Sequence, residues 1–159
     1  MTRIKDVHVI RLIEQIGDHY RANLTNRYLR PVLLQLQLDK NTWDQIEFLT
    51  EKMEMFVYQG FHLDELYRQV AACARFVEVS RHEIPNLKAK IFSESSGQDR
   101  ILREMAASNF KSNLQVFADL VNELFVTLVD LDKADCGAKQ PVFTQMPELS
   151  GVGRQLVGH

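Results

Sequence analysis

Hydrophobic residues recur every three or four positions along most of the chain, which is the spacing of one face of an α-helix. In residues 4–24 the steps are four, three and four. The residues at these steps are Val9, Ile13, Ile16 and Tyr20. This pattern predicts a first amphipathic helix, and Pro31 predicts a break or kink at Arg30 because proline disfavours helical backbone in the residue before it.

The next apolar run, from Val32 to Leu38, is too short for its period to distinguish helix from strand. We interpret it as a short helix, because a single strand would have no partner elsewhere in the chain. A further helix is predicted to begin at Asn41 or Thr42, both good N-cap residues, and to end before Gly60. Its apolar face consists of Ile46, Leu49, Met53 and Phe56.

Two longer helices are predicted in the second half of the chain. The first keeps strict three-four spacing for three heptads, and Pro85 is expected to stop it. Its face consists of Leu63, Leu66, Val70, Cys73, Val77, Ser80 and Ile84. The second runs from Gln98 to Ala134 and would be roughly 55 Å long at 1.5 Å per residue. Its face consists of Ala106, Phe110, Asn113, Phe117, Leu120, Leu124, Thr127 and Leu131.

The pattern predicts an all-α protein, an antiparallel bundle of four to five helices with a long final helix, within residues 1–135. The apolar face of the final helix is wider than its own neighbours are expected to cover. A homodimer would cover it. This hypothesis rests on five residues that occupy two adjacent stripes, Phe117, Val121, Leu124, Phe125 and Leu128.

Residues 136–159 differ in composition, with four Gly, two Pro and three charged residues. Large apolar side chains nevertheless persist there, which is unusual for a linker. We therefore expect an irregular C-terminal tail that either packs back on the bundle or docks on a partner. The candidate binding residues of this tail are Phe143, Met146 and Leu149.

The sign of the net charge alternates along the chain. It is +3 in residues 1–30, −5 in 31–65, +3 in 66–111 and −4 in 112–135. Segments of opposite charge can lie side by side, which favours an antiparallel arrangement. Exposed ion pairs contribute only about 0–1 kcal/mol each, so this pattern would select neighbours rather than stabilise the fold.

Composition excludes several classes of protein. The total charge of −2 and the lack of a basic stripe disfavour a nucleic-acid partner. The longest stretch without Asp, Glu, Lys or Arg spans nine residues, Met55 to Leu63, too few for a membrane span or a signal-peptide core. Two cysteines cannot form a disulfide framework. We expect a cytoplasmic protein of ordinary globular composition.

Motifs for cofactors and metals are missing from the sequence. Glu-x-x-His and His-Glu-x-x-His do not occur, and Glu78 with His82 would supply only two ligands. Gly-rich phosphate loops are also missing. Cys73 lies among alanines on the predicted helix face, where a buried thiol acts as a small apolar filler. Cys136 follows a helix C-terminus, where the dipole opposes a thiolate. No cofactor and no metal are expected.

One segment suggests a specific chemistry. Residues 76–87 read Phe-Val-Glu-Val-Ser-Arg-His-Glu-Ile-Pro-Asn-Leu, which resembles the phosphoacceptor box of sensor histidine kinases. The resemblance implies His82 as phosphoryl acceptor and Glu83 as its orienting base. It covers about twelve residues, Arg81 intervenes before the histidine, and the distance from Glu83 to Pro85 is shorter than in that family. A helix C-terminus with a cationic His and a stopping Pro explains the same residues.

The sequence thus favours a non-catalytic helical module that binds another protein or another copy of itself. The alternative from a different class is a histidine phosphotransfer protein acting through His82. A third possibility is a bundle that holds a small apolar ligand between its helices.

Overall fold

The computed structural model describes residues 5–51 and 53–136, and the elements in these ranges are helices. Four of them are long and two are short. They are α1 (Val7–Thr25), α2 (Arg30–Leu33), α3 (Lys40–Glu51), α4 (Met53–Gln59), α5 (Leu63–Glu94) and α6 (Gly97–Cys136). The predicted all-α class and long final helix are confirmed.

The four long helices form a ring in which each packs on two others: α1 on α3 and α6, and α5 on α3 and α6. Two contacts define the direction of α6 relative to α1. His8 Nε2 lies 3.3 Å from Glu123 Oε1, and the guanidinium of Arg103 lies 5.8 Å from the ring centre of Tyr28. The start of α1 thus lies near residue 123 of α6, and the segment just after α1 lies near residue 103. The two helices are therefore antiparallel, as a bundle of this kind requires.

An aromatic cluster joins the four helices at the centre of the bundle. Phe76 of α5 is fully buried, and its ring meets Tyr20 of α1, Trp43 of α3 and Phe117 of α6 edge to face. The centroid distances are 5.7, 6.1 and 5.6 Å, within the range in which aromatic pairs attract each other. The side chain of Phe76 therefore contacts aromatic rings from the three other long helices of the bundle.

The predicted apolar face of α5 is confirmed, but the predicted end of that helix is wrong. Pro85 lies inside α5, which continues to Glu94. Proline removes the hydrogen bond to the carbonyl of Arg81, yet its own side chain is exposed and clashes with no neighbouring helix. Leu87 and Ile91, each 6% exposed, bury the next two turns and keep the helix going.

The connection between α1 and α3 differs from the prediction in two respects, the position of the chain break and the length of the short helix. Arg30 is the first residue of α2 rather than a break. Pro31 is tolerated in the first helical turn because a backbone N–H at that position would form no hydrogen bond within the helix. The chain breaks earlier, at Asn26, whose side chain accepts hydrogen bonds from the backbone N–H of Tyr28 and Leu29. The predicted short helix is thus limited to Arg30–Leu33.

Asp39, rather than Asn41 or Thr42, caps the start of α3. Its carboxylate accepts a hydrogen bond from the backbone N–H of Thr42 at 2.7 Å. That hydrogen bond is the usual N-cap contact with the third residue inside the helix. The end of α4 at Gln59 matches the prediction, since Gly60 follows with a φ of 74°.

The final helix carries two buried stripes because it packs on both α1 and α5. Phe117, Val121, Leu124 and Leu128 are fully buried within a single chain, and Phe125 is half-buried. Four of the five side chains are therefore covered within one chain and Phe125 is covered in part, so a second copy is not needed to bury most of this surface, and the homodimer stays a prediction.

The alternating charge along the chain is reflected in the choice of neighbours. The helices α1 and α5, from positively charged segments, each pack on α3 and α6, and α3 and the part of α6 after residue 111 come from negatively charged segments. This ring order sets segments of opposite charge beside each other, except where Arg81 and Lys88 of α5 meet Lys111 of α6.

The turn between α5 and α6 is held by a single arginine. Arg100 donates from Nε and Nη2 to the carbonyl of Ser95 at 2.9 and 2.6 Å, and from Nη2 to the carbonyl of Phe92 at 2.9 Å. Gly97 starts α6 with a φ of 60°, a left-handed conformation that favours glycine. These contacts fix α5 and α6 as an antiparallel hairpin.

Candidate functional site: the outward face of the final helix

His82 lies in the interior of α5 and is exposed, twelve residues before the helix ends. Glu83 is the next residue and is half-buried. Within the described part of the chain, neither side chain forms a hydrogen bond or ion pair. The two predicted site residues are therefore adjacent in sequence but are not joined by a contact. Glu78, four residues before His82, forms an ion pair of 3.1 Å with Arg75 instead.

The thiol of Cys73 is fully buried in the bundle, and burial raises its pKa to about 12. A thiol with so high a pKa is not a nucleophile at neutral pH. Residues 5–51 and 53–136 contain no group of three His, Cys, Asp or Glu side chains that could hold a metal ion. The predicted tail residues Phe143, Met146 and Leu149 lie outside the described residues.

A stripe of exposed apolar side chains runs along the outside of α6. Among the described residues, five of the ten large apolar side chains that are exposed belong to this one helix. At about 100° per residue, all five fall within an arc of about 120°. We call this set the outward stripe, and its members are Ile101, Leu102, Met105, Val116 and Val126.

The outward stripe stands on a rigid support. On the opposite side of the same helix, Phe110, Phe117 and Val121 are buried against α1 and α5. The members of the stripe are between 40% and 57% exposed, and Ile101 and Val126 lie about 38 Å apart along the helix at 1.5 Å per residue. Contiguous exposed apolar surface is typical of a protein-binding face, and Ile101, Leu102 and Met105 form the contiguous part of the outward stripe.

A basic groove borders the outward stripe where α6 meets α5. Its lining includes Arg81 and Lys88 from α5 and Lys111 from α6, with Ser108 and Ser112 between them. The guanidinium of Arg81 crosses the groove and donates to Gln115 Oε1 at 3.2 Å. The lining contains no carboxylate, so this side of the helix presents net positive charge.

A second depression, of about 200 Å³, lies at the end of the bundle near the α5–α6 turn. Arg27, Lys90 and Arg103 contribute cationic side chains to its wall. The ring of Tyr28 and the side chain of Ile91 form its apolar part. Its cationic wall differs from the apolar chamber that the third functional alternative requires, and that alternative stays a prediction.

The outward stripe does not follow from the hydrophobic period of the sequence, for an identifiable reason. Its members are spaced too far apart along the chain to form a heptad pattern, and polar residues such as Ser108, Ser112 and Asp119 lie between them. The available information was the helical angle. Positions 101, 105, 116 and 126 share one side of a helix whose other side carries the phenylalanines.

None of the helices described here combines the length and the apolar character needed to cross a membrane. Comparison with known proteins gave no match: no family model, no curated protein sequence and no solved structure is significantly similar to this chain.

Proposed function

We propose that this protein is a helical protein–protein interaction module whose docking surface is the outward face of α6. The observation that carries the proposal is the outward stripe, in which Ile101, Met105 and Val116 are 57%, 57% and 42% exposed. Full burial of an exposed apolar side chain of this size contributes about 1.5–3 kcal/mol, so covering the remaining half of each of these side chains would contribute about half of that. A partner that covers the stripe would therefore gain binding energy without any rearrangement of the helix.

The bundle behind the stripe favours this use. A helix held on two sides by α1 and α5 loses little conformational entropy when a partner binds, so more of the contact energy remains as affinity. A partner helix is the simplest fit, because apolar side chains placed at intervals along one face of a helix can meet apolar side chains along the face of an amphipathic helix.

Site-specific photo-crosslinking tests the proposal. A benzophenone amino acid placed at Met105 or Val116 should give a protein adduct in the native cell, and the same group at Ala22, on the exposed face of α1, should give none. Adding Val116→Glu to the Met105 probe should abolish the adduct, since a carboxylate in the buried contact is costly. The proposal fails if the Met105 and Val116 probes give no more adduct than the Ala22 probe.

A second candidate, histidine phosphotransfer, is favoured by the position of His82. The reading of His82 as a residue of a helix end does not apply, because α5 continues to Glu94 and leaves the imidazole exposed on a bundle. As the unprotonated ring nitrogen of His82 attacks phosphorus, the P–N bond of phosphoramidate would break and ammonia would leave, and the proton on the other ring nitrogen would pass to solvent.

Mass spectrometry separates this candidate from the first. Incubation with phosphoramidate should give an acid-labile mass gain that His82→Gln removes and His19→Gln, on α1, retains. Histidine phosphotransfer is rejected if the wild-type chain gains no mass, or if the gain persists in His82→Gln.

A further inference from the structure

Three members of the outward stripe are spaced almost symmetrically about Val116, which lies at the midpoint of α6. Met105 and Val126 lie eleven and ten residues from Val116, one on each side. Two copies of α6 placed antiparallel with their Val116 side chains together would therefore set Met105 of each against Val126 of the other. This is the condition for a two-fold interface, in which residue i contacts residue j and residue j contacts residue i.

Two charged residues of opposite sign also lie on either side of Val116. Lys111 and Asp119 lie five residues before and three after Val116, so each lysine would face the aspartate of the other copy. Both side chains are exposed. Asp119 accepts a hydrogen bond from Gln115 Nε2 at 2.9 Å, which holds its carboxylate beside the helix midpoint.

The basic groove extends this complementarity. Arg81 and Lys88 lie beside Lys111 on the half of α6 that precedes Val116, whereas Asp119 and Asp130 follow Val116 on α6. An antiparallel copy would lay its acidic half along the groove, and a parallel copy would place like charges together. The small side chains of Ser108 and Ser112 allow two helices to approach closely at these levels.

From these relationships, which rest on the proposed docking function, we propose that the partner of the outward face is a second copy of this chain. The two α6 helices pack antiparallel about a two-fold axis near Val116, with Lys111 of each copy facing Asp119 of the other. The contact replaces solvent on the outward stripe and neutralises part of the basic groove.

A charge-swap experiment on the full chain tests this proposal by sedimentation velocity over a concentration series. Lys111→Asp and Asp119→Lys should each raise the dimer dissociation constant about tenfold, because each occurs twice in a two-fold interface and creates like-charge pairs. The double variant, Lys111→Asp with Asp119→Lys, should return to within about threefold of the wild type because the pairs are restored in reverse. Arg11→Asp and Glu14→Lys make the same charge changes on the exposed face of α1 and should leave the constant unchanged.

Three results would overturn the second-copy proposal: a wild-type chain that stays monomeric throughout the series, single variants that dimerise like the wild type, or a double variant that stays as weak as the singles. Circular dichroism on each variant confirms that the bundle is folded. The photo-crosslinking experiment distinguishes the two levels of the account. An adduct at Met105 with a mass other than twice the chain keeps the docking function and rejects the homodimer, whereas no adduct rejects the docking function itself.

Discussion

The rings of Phe76 and Phe117 meet edge to face with their centroids 5.6 Å apart, and both side chains are fully buried. This contact fixes α5 against α6 at the level where Tyr20 and Trp43 also reach Phe76. The orientation of α6 about its own axis, and hence the direction in which the outward stripe points, depends on this packing.

Phe76→Ala should destabilise the bundle strongly, because it leaves a cavity bounded by side chains from all four long helices. Losses for buried Phe→Ala substitutions are about 3–5 kcal/mol. Urea unfolding followed by circular dichroism measures the loss. Phe92→Ala is the matched control, since Phe92 is 68% exposed and its removal should cost about 1 kcal/mol or less. A loss for Phe76→Ala no larger than that of Phe92→Ala would show that the aromatic cluster is not the centre of the core.

Pro85→Ala should stabilise α5. The substitution restores the backbone N–H that can bond to the carbonyl of Arg81, and it removes a residue that costs about 3 kcal/mol relative to alanine in a helix interior. We expect a gain on the order of 1 kcal/mol, since the helix has already adapted to the proline. Amide hydrogen exchange in residues 81–85 should slow as well. A lower free energy of unfolding in Pro85→Ala would contradict this view of α5.

Asp39 should make the stability of α3 depend on pH in the acid range. Hydrogen bonds from Thr42 lower the pKa of the Asp39 carboxyl in the folded state. The bond from the Thr42 side chain has the larger effect, and the bond from its backbone N–H has the smaller one. Because the folded pKa lies below the unfolded one, the ionised cap stabilises the fold above about pH 4, and this contribution disappears as the pH falls through the folded pKa. The difference in urea midpoint between wild type and Asp39→Ala should therefore shrink below about pH 4.

The matched control for this titration is Asp39→Asn, which keeps an N-cap acceptor but cannot ionise. Its midpoint should vary less with acid pH than that of the wild type. A wild-type advantage over Asp39→Ala that stays constant from pH 7 to pH 2 would show that ionisation of Asp39 does not contribute to the cap.

Cys73 should be inert in the folded protein. Burial raises the pKa of its thiol to about 12, so the thiolate that reacts with disulfide reagents is scarce at pH 8. In a Cys136→Ser background, a chromogenic disulfide reagent should release colour slowly from the native protein and at once in denaturant. Full reaction of the native protein within minutes would place Cys73 in an accessible site rather than in the core.

The fold was predictable to the extent that burial is periodic. The faces of α1 and α5 follow from spacing alone, because each of these helices has an apolar stripe of ordinary width and the buried residues, Ile13 and Val70 among them, recur on it. The N-cap of α3 was not predictable to the residue, since Asp39, Asn41 and Thr42 are all good capping residues and only tertiary packing selects one.

Two other differences have a tertiary cause. Pro85 is a local obstacle to a helix, but the burial of Leu87 and Ile91 farther along outweighs it. The wide apolar face of α6 around Phe117 indicates how much surface must be buried. The sequence does not indicate whether helices of the same chain or of another chain bury it. The ring order, in which α6 packs on both α1 and α5, supplies that answer.

The candidate site was only partly predictable. The exposure of His82 agrees with the phosphoacceptor hypothesis, although its chemistry is a proposal. Ile101 and Met105 are ordinary helix residues in the sequence, and their significance comes from exposure beside a fully covered core.

The most direct test of the outward face of α6 as a self-binding surface is the sedimentation of wild type, Val116→Glu and Ala22→Glu at concentrations from one to several hundred micromolar. Each chain has a mass of 18.4 kDa. We predict that the wild type and Ala22→Glu shift towards twice this mass as concentration rises, and that Val116→Glu stays at the mass of one chain. A Val116→Glu chain that associates as well as the wild type would contradict the assignment of the outward face of α6 as the self-binding surface.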